Sequence, residues 1–457
     1  MKNNILTLSI AQIAKKLRSR ELSSVDVVKA CLAQAEKTTH LNAWNSLYSE
    51  QALSQASAWQ SLLDSGIDLG PLQGIPIGLK ANIDVAGHTM HAGSQLLSDN
   101  IASANASVTT RLQRAGAIIL GTTNMHEFAW GGTTDNPHYG ATSNPWNDAH
   151  IPAGSSGGSG VASAVRSALA TLGTDTGGSV RLPASMNGVT GLRPGIGQIP
   201  TDGVFPLAWT MDTVGPLAPS AQECALVYSV LSAKQPPKQV KPLNQLKVGL
   251  LSGYATEVLQ PDVRDAYQLT IRQWQALGAQ MVELDLDGLD YAVDAAITID
   301  AAEPSAIHWQ WVKEKGELYG DDVRALLLAG GGISAVEYLQ AQRYRSYLRE
   351  QFLAAFAKVD AILMPMIPFT APVKGATSID VGNSQLSVLS GNMRFTSLPS
   401  MSAMPGASFP VGCDSEGLPI GMQLMGTDHS EFELLAWIGE YQDVHPYHQV
   451  RPAVAQL

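Results

Sequence analysis

Cysteine is scarce in this chain of 457 residues: Cys31, Cys224 and Cys413 stand far apart and show no metal-ligand spacing. So sparse and odd a set excludes a disulfide framework and fits a reducing compartment. No apolar run approaches the ~20 residues that a membrane-spanning helix needs. Basic residues are also few, 29 Lys+Arg against 40 Asp+Glu, and the resulting net charge of −11 argues against a broad basic face for nucleic acid or anionic membrane. Low-complexity tracts and solenoid-type repeats are lacking as well.

One N-terminal stretch imitates a targeting segment. Ile5–Ala14 follows Lys2 as a weak signal core would. However, Ser9 and Gln12 have the spacing of a capping box, with Ile10, Ile13, Ala14 and Leu17 on one helical face, and no small-x-small cleavage site follows. A soluble, cytoplasmic protein is expected.

What the chain does have is apolar content and punctuation. Hydrophobic residues make up 45%, enough for a large core, and 42 Gly with 25 Pro imply the many loops of a large α/β enzyme. Helical and strand patterns alternate. A second helix is expected from Ser23 or Ser24 to about Glu36, and Pro71–Lys80 ends in a short extended segment that delivers Lys80. Val108–Ala115 reads as a helix before the strand Ala117–Leu120, and Pro261–Leu277 as a helix before the strand Gln280–Leu284. Further strands are expected at Lys247–Leu251 and Ala361–Met364, a long helix over Ser334–Lys358 with a Ser334/Glu337 capping box, and two strands within Met404–Gly426. Such alternation predicts an α/β fold: a large mixed, mostly parallel twisted sheet with helices on both faces. Residues 233–245 have the composition of a linker. A single domain is expected even so, with N-terminal helices over 1–65, a glycine-rich core over 66–232 and the remaining strands, helices and pocket cover over 246–457.

The glycines concentrate at Gly154–Gly160 and Gly177–Ser179, flanking the small-residue segment Val161–Leu172, which is expected to form a close-packed helix. Glycine clusters let backbone N–H groups turn towards an oxyanion or a phosphate. A flexible linker does not need the interleaved Pro152, Leu172, Val180, Leu182 and Pro183, and no Gly-Lys-Ser/Thr follows to make a phosphate loop. Gly154–Gly158 also fits G-x-S-x-G, which would make Ser156 the nucleophile of a hydrolase elbow.

The run GSSGGS, then GTDTGGSVRLPA and NGVTGLRP, together with G-I-P-I-G-L-K-A-N at Gly74–Asn82, resembles the amidase signature family over nearly the whole chain. The resemblance implies an α/β/α fold and an amidase acting on C–N bonds through an acyl-enzyme. It implies Ser179 as nucleophile, Ser155 as bridging serine after a cis peptide bond, and Lys80 as base. Thr176, Gly177, Gly178 and Ser179 would supply the oxyanion N–H groups, and Asp175 with Arg181 would brace the loop. A lysine base must be neutral, and Ile77 and Leu79 are consistent with its burial. Ala81 stands where many members carry Asp. His126 and His138 border the family's pocket but lack a metal spacing, so no metal and no cofactor are expected.

Ala129, Trp130 and Gly131 fall where the family lines the acyl side of its pocket, and Phe205 and Trp209 follow in a second loop. These positions suggest aryl or apolar amides as substrates, with esters and carbamates attacked by the same chemistry. The expected partner is a small-molecule amide, with the chain a monomer or homodimer. The alternative within the resemblance is the A subunit of a glutamyl-tRNA amidotransferase, which commonly has Gln where Leu182 follows Arg181 here. A nucleotide-binding module without catalysis is the reading of another class.

Overall fold

The computed structural model describes residues 5–382 and 384–455. Its centre is a mixed sheet of eleven strands among the described residues. In chain order the strands are β1 (Trp44–Leu47), β2 (Pro76–Lys80), β3 (Ile118–Thr123), β4 (Ala170–Asp175), β5 (Thr190–Arg193), β6 (Thr213–Ala218), β7 (Lys247–Leu251), β8 (Gln280–Leu284) and β9 (Ala361–Pro365). A small separate hairpin, β10 (Ser378–Val381) and β11 (Ser384–Ser387), precedes β12 (Gly406–Cys413) and β13 (Pro419–Gly426).

Across the sheet the order is β1-β3-β2-β4-β6-β5-β12-β13-β9-β7-β8. The parallel pairings that helix–strand alternation predicts lie in two blocks, β3-β2-β4 and β9-β7-β8. The strands between them pair antiparallel, as does β1 on β3. β5 pairs with β12, Arg193 opposite Gly406, so strands from before and after residues 233–245 share one sheet. Inner strands β2, β3, β4, β6, β9 and β13 are buried along their whole length, whereas the edge strands β1 and β8 are partly exposed. This is the burial expected of strands covered on both faces and of strands at an edge.

Local signals account for many boundaries. Ser9 accepts from the Gln12 N–H at 3.2 Å while Gln12 accepts from the Ser9 N–H at 2.9 Å, and Ile10, Ile13, Ala14 and Leu17 are buried. The Ser334/Glu337 box opens the helix Ala335–Phe356 in the same way. Where the small-residue segment is concerned, expectation and structure differ. The helix spans Gly157–Ala164, not Val161–Leu172, and residues 170–172 belong to β4. The helix starts inside the glycine cluster because its neighbours come too close for side chains: a Cβ on Gly158 would lie 2.5 Å from the Ala43 carbonyl oxygen. It stops because Arg166 turns left-handed (φ 62°), its guanidinium tied to the Leu6 and Leu8 carbonyls and to Glu223. No helix among the described residues is long and apolar enough to cross a membrane.

In the block β3-β2-β4 all three strands run the same way. The loops after Thr123, Lys80 and Asp175 therefore leave from one edge and meet there. Crevices outside the carboxyl ends of parallel strands are where open α/β sheets bind ligands.

Candidate active site

β2 carries Lys80 to that edge as its last residue, fully buried. β4 is its parallel neighbour, and it brings Thr174 alongside. Lys80 Nζ donates to Thr174 Oγ1 and to Ser155 Oγ, each at 2.7 Å. Asn82 also donates to Thr174, at 3.3 Å, and to the Phe205 carbonyl. Burial pulls the Lys80 pKa down to about 7, against the opposing pull of the Asp212 and Asp175 carboxylates. Ala81, the next residue, is buried with Met125, Ala129 and Leu207.

Ser155 sits at the entrance of the helix Gly157–Ala164, after a cis peptide bond to Gly154. A Cβ at Gly154 would lie 2.7 Å from the Gly131 carbonyl oxygen, so this crossing of loops requires glycine. Ser156, the rival nucleophile, is fully buried and donates to the Thr174 carbonyl. Ser179 instead lines a cavity, together with Ala129, Trp130, Gly131, Gly154 and Gly177.

The turn from β4 into the helix Arg181–Asn187 is wound around Asp175. Its carboxylate accepts from the N–H groups of Gly178, Val180 and Arg181, from the Arg181 guanidinium at 2.8 and 3.0 Å, and from Arg193 at 2.9 Å. Burial alone would raise the Asp175 pKa, but Arg181 and Arg193 hold it well below the usual carboxylate range. Arg181 reaches on to the Thr396 carbonyl, Gln423 and Ser400, tying the turn to distant elements. Gly178 takes a φ of 129°, and a Cβ there would meet Thr396 at 2.8 Å. Its N–H, expected among the oxyanion donors, is therefore occupied by Asp175. Thr176, the residue after the strand, donates its hydroxyl to Asp212, whose carboxyl burial raises to about 6.

Phe205 and Trp209 are not among the residues lining the Ser179 cavity. Both line an adjoining cleft with Thr174 and Asp212. Phe205 packs among Phe128, His308 and Trp311, and Trp209 is 51% exposed. The Phe205 N–H donates to the Asn82 carbonyl at 2.8 Å. His126 pairs with Asp322 at 2.9 Å and His138 with Glu127 at 3.0 Å, and both fasten the loop after β3. Sequence reasoning missed Thr174, Arg193 and Asp212, and the cavity residues Asp300, Asn392 and Met393. Thr174 and Arg193 lie inside the recognised motifs, whereas the helical residues carry no motif of their own.

This geometry has close counterparts. The Amidase family model matches residues 26–435. The A subunit of the glutamyl-tRNA(Gln) amidotransferase from Azoarcus sp. is 34% identical over 98% of this chain and 100% of its own length. A solved structure described as an amidase superposes with a TM-score of 0.91 at 29% identity, covering 96% of this chain and 99% of its own. Another, from work on the evolutionary origins of an s-triazine catabolic enzyme, gives 0.90 at 31% identity, covering 96% and 98%. The chain belongs to the amidase signature family. It is an enzyme acting on carbon–nitrogen bonds of amide substrates.

Removing Asp175 would leave two buried guanidinium groups uncompensated. Breaking a buried pair in this way costs about 3–5 kcal/mol. Asp175→Ala is expected to lose stability on that scale in urea unfolding, and a loss below about 0.5 kcal/mol would show that the arginines find other partners.

Proposed function

We propose that this enzyme hydrolyses small-molecule amides with Ser179 as nucleophile, Ser155 as proton relay and Lys80 as base. The observation that carries the reading is a fully buried lysine, hydrogen-bonded to Ser155 and depressed to about 7, behind a serine that opens onto a cavity. A neutral Lys80 accepts a proton from Ser155 as Ser155 accepts one from Ser179, and the Ser179 oxygen adds to the amide carbonyl. With the Gly178 N–H donating to Asp175, the N–H groups of Thr176, Gly177 and Ser179 are the proposed oxyanion donors. Lys80 then returns the proton through Ser155 to the leaving nitrogen, and water releases the acyl group by the same route. No cofactor enters any step. The enzyme is proposed to work in the cytoplasm as a monomer or homodimer.

The cavity wall is largely apolar: Trp130, Leu182, Leu207, Ile297, Leu326 and Met393. This supports aryl or alkyl amides as substrates, with esters and carbamates of matching shape also cleaved. The contacts proposed for substrate are those of Ala129, Trp130 and Gly131. The second reading, an amidotransferase A subunit, is favoured by the names of the curated relatives. Co-purification with partner subunits, and ammonia transfer in their presence, would establish it.

Five outcomes are expected. Ser179→Ala abolishes turnover, and a fluorophosphonate labels Ser179 alone; labelling at Ser156 would move the nucleophile to the G-x-S-x-G run. Activity rises with pH through about 7 to a plateau, because only the neutral amine accepts a proton. Ala81→Asp, by placing a carboxylate beside the amine, shifts that rise to higher pH; an unmoved profile would detach it from Lys80. Finally, an aryl amide outruns acetamide in kcat/KM by at least about tenfold, since one buried apolar side chain's worth of surface contributes roughly 1.5–3 kcal/mol. Trp130→Ala should lower the aryl-to-acetamide ratio, whereas Trp209→Ala should leave it within about twofold. Equal effects of the two would mean that Trp130 serves packing alone.

A further inference from the structure

Three polar side chains interrupt the apolar lining of the Ser179 cavity: Ser179 itself, Asp300 and Asn392. The last two come from neighbouring helices, Ala292–Glu314 and Val388–Ser402, which pack on each other. Asp300 is 8% exposed and Asn392 only 2%. Yet Asp300 Oδ1 and both the Oδ1 and Nδ2 of Asn392 lack any hydrogen-bond partner. Buried polar groups are nearly always satisfied, so three such atoms around one cavity require an explanation.

Glycines make room for both side chains. A Cβ on Gly177, itself a proposed oxyanion donor, would lie 3.2 Å from Asp300 Oδ2, and one on Gly132 would lie 2.7 Å from Asn392 Nδ2. Burial and the nearby Asp212 and Glu303 carboxyls raise the Asp300 pKa well above the usual range, which favours the neutral acid. A neutral carboxyl offers one donor and one acceptor, and a primary amide offers both as well. An anionic ligand is disfavoured by the acidic surroundings. The matching chemistry is a neutral group with N–H and C=O side by side.

We propose that Asp300 and Asn392 form a polar subsite for a second, non-scissile carboxamide or ureido group, so that preferred substrates carry such a group on an apolar body. The inference rests on the amidase reading of Ser179, Ser155 and Lys80. Under it, an analogue lacking the group leaves the subsite's polar atoms unpaired, which is where sites of this kind discriminate most strongly.

The test is a series of amides with one apolar body and four ends: methyl, carboxamide, ammonium and carboxylate. The carboxamide end is expected to exceed the methyl end in kcat/KM by about tenfold to hundredfold, with both charged ends below methyl. A methyl end equal to or better than carboxamide, or an ammonium end that is best, would overturn the subsite. Asp300→Leu and Asn392→Leu should each bring the carboxamide-to-methyl ratio below about threefold, while Asp300→Asn, which keeps a donor and an acceptor, should preserve it. Fluorophosphonate labelling of Ser179 reports which variants are folded, and the wild-type series decides without them. If no member of the series is cleaved, the amidase reading itself fails. Cleavage without carboxamide preference removes only the subsite.

Discussion

A lysine held in a dry sheet edge is the constraint around which this molecule is arranged. Lys80 ends an inner strand flanked by β3 and β4, and its side chain is fully buried. Its two hydrogen-bond partners, Ser155 and Thr174, are hydroxyls, which can serve an amine in either protonation state. A carboxylate within hydrogen-bond reach would hold the ammonium form. The nearest acids, Asp175 and Asp212, are engaged elsewhere, the first by two arginines and the second by Thr176 and two backbone N–H groups. Burial therefore wins over charge, and the amine titrates near neutrality.

Holding Ser155 and Ser179 at this edge of the sheet requires two loops with almost no freedom. The second is fixed by a buried ionic knot, in which Asp175 accepts three backbone N–H groups and two guanidinium groups. Buried ion pairs contribute little net stability when compared with apolar packing. Here the arrangement sets position: the same carboxylate that neutralises Arg181 and Arg193 also orients Gly178, and Arg181 extends the brace to the helix Val388–Ser402. That helix carries Asn392, so the turn bearing Ser179 and one wall of the cavity are held by a single side chain.

Much of this is legible in the sequence where chemistry is encoded at short, fixed spacing. Lys80, Ser155, Ser179, Asp175 and Arg181 lie in runs whose glycines and prolines leave few backbone alternatives. The capping boxes at Ser9 and Ser334 mark helix starts through contacts three residues apart. Other features depend on tertiary placement. The small-residue pattern puts its helix too late in the chain, because the helix end is set by Arg166, held left-handed by carbonyls of the N-terminal segment. The family resemblance suggests a place beside the scissile bond for Phe205 and Trp209, whereas both line the adjoining cleft with Thr174 and Asp212. Asp300 and Asn392 lie on long helices far along the chain, and only the packing of those helices shows that both enter the cavity.

The most direct measurement of the central claim is the ionisation of Lys80 itself. Heteronuclear NMR titration of the enzyme, with the Lys80 signal assigned by comparison with a Lys80→Arg variant, reads the side-chain amine without reference to any substrate. A pKa near 7 is expected. A value near the ~10.4 of an unperturbed lysine would leave the amine protonated at neutral pH and contradict its role as the base.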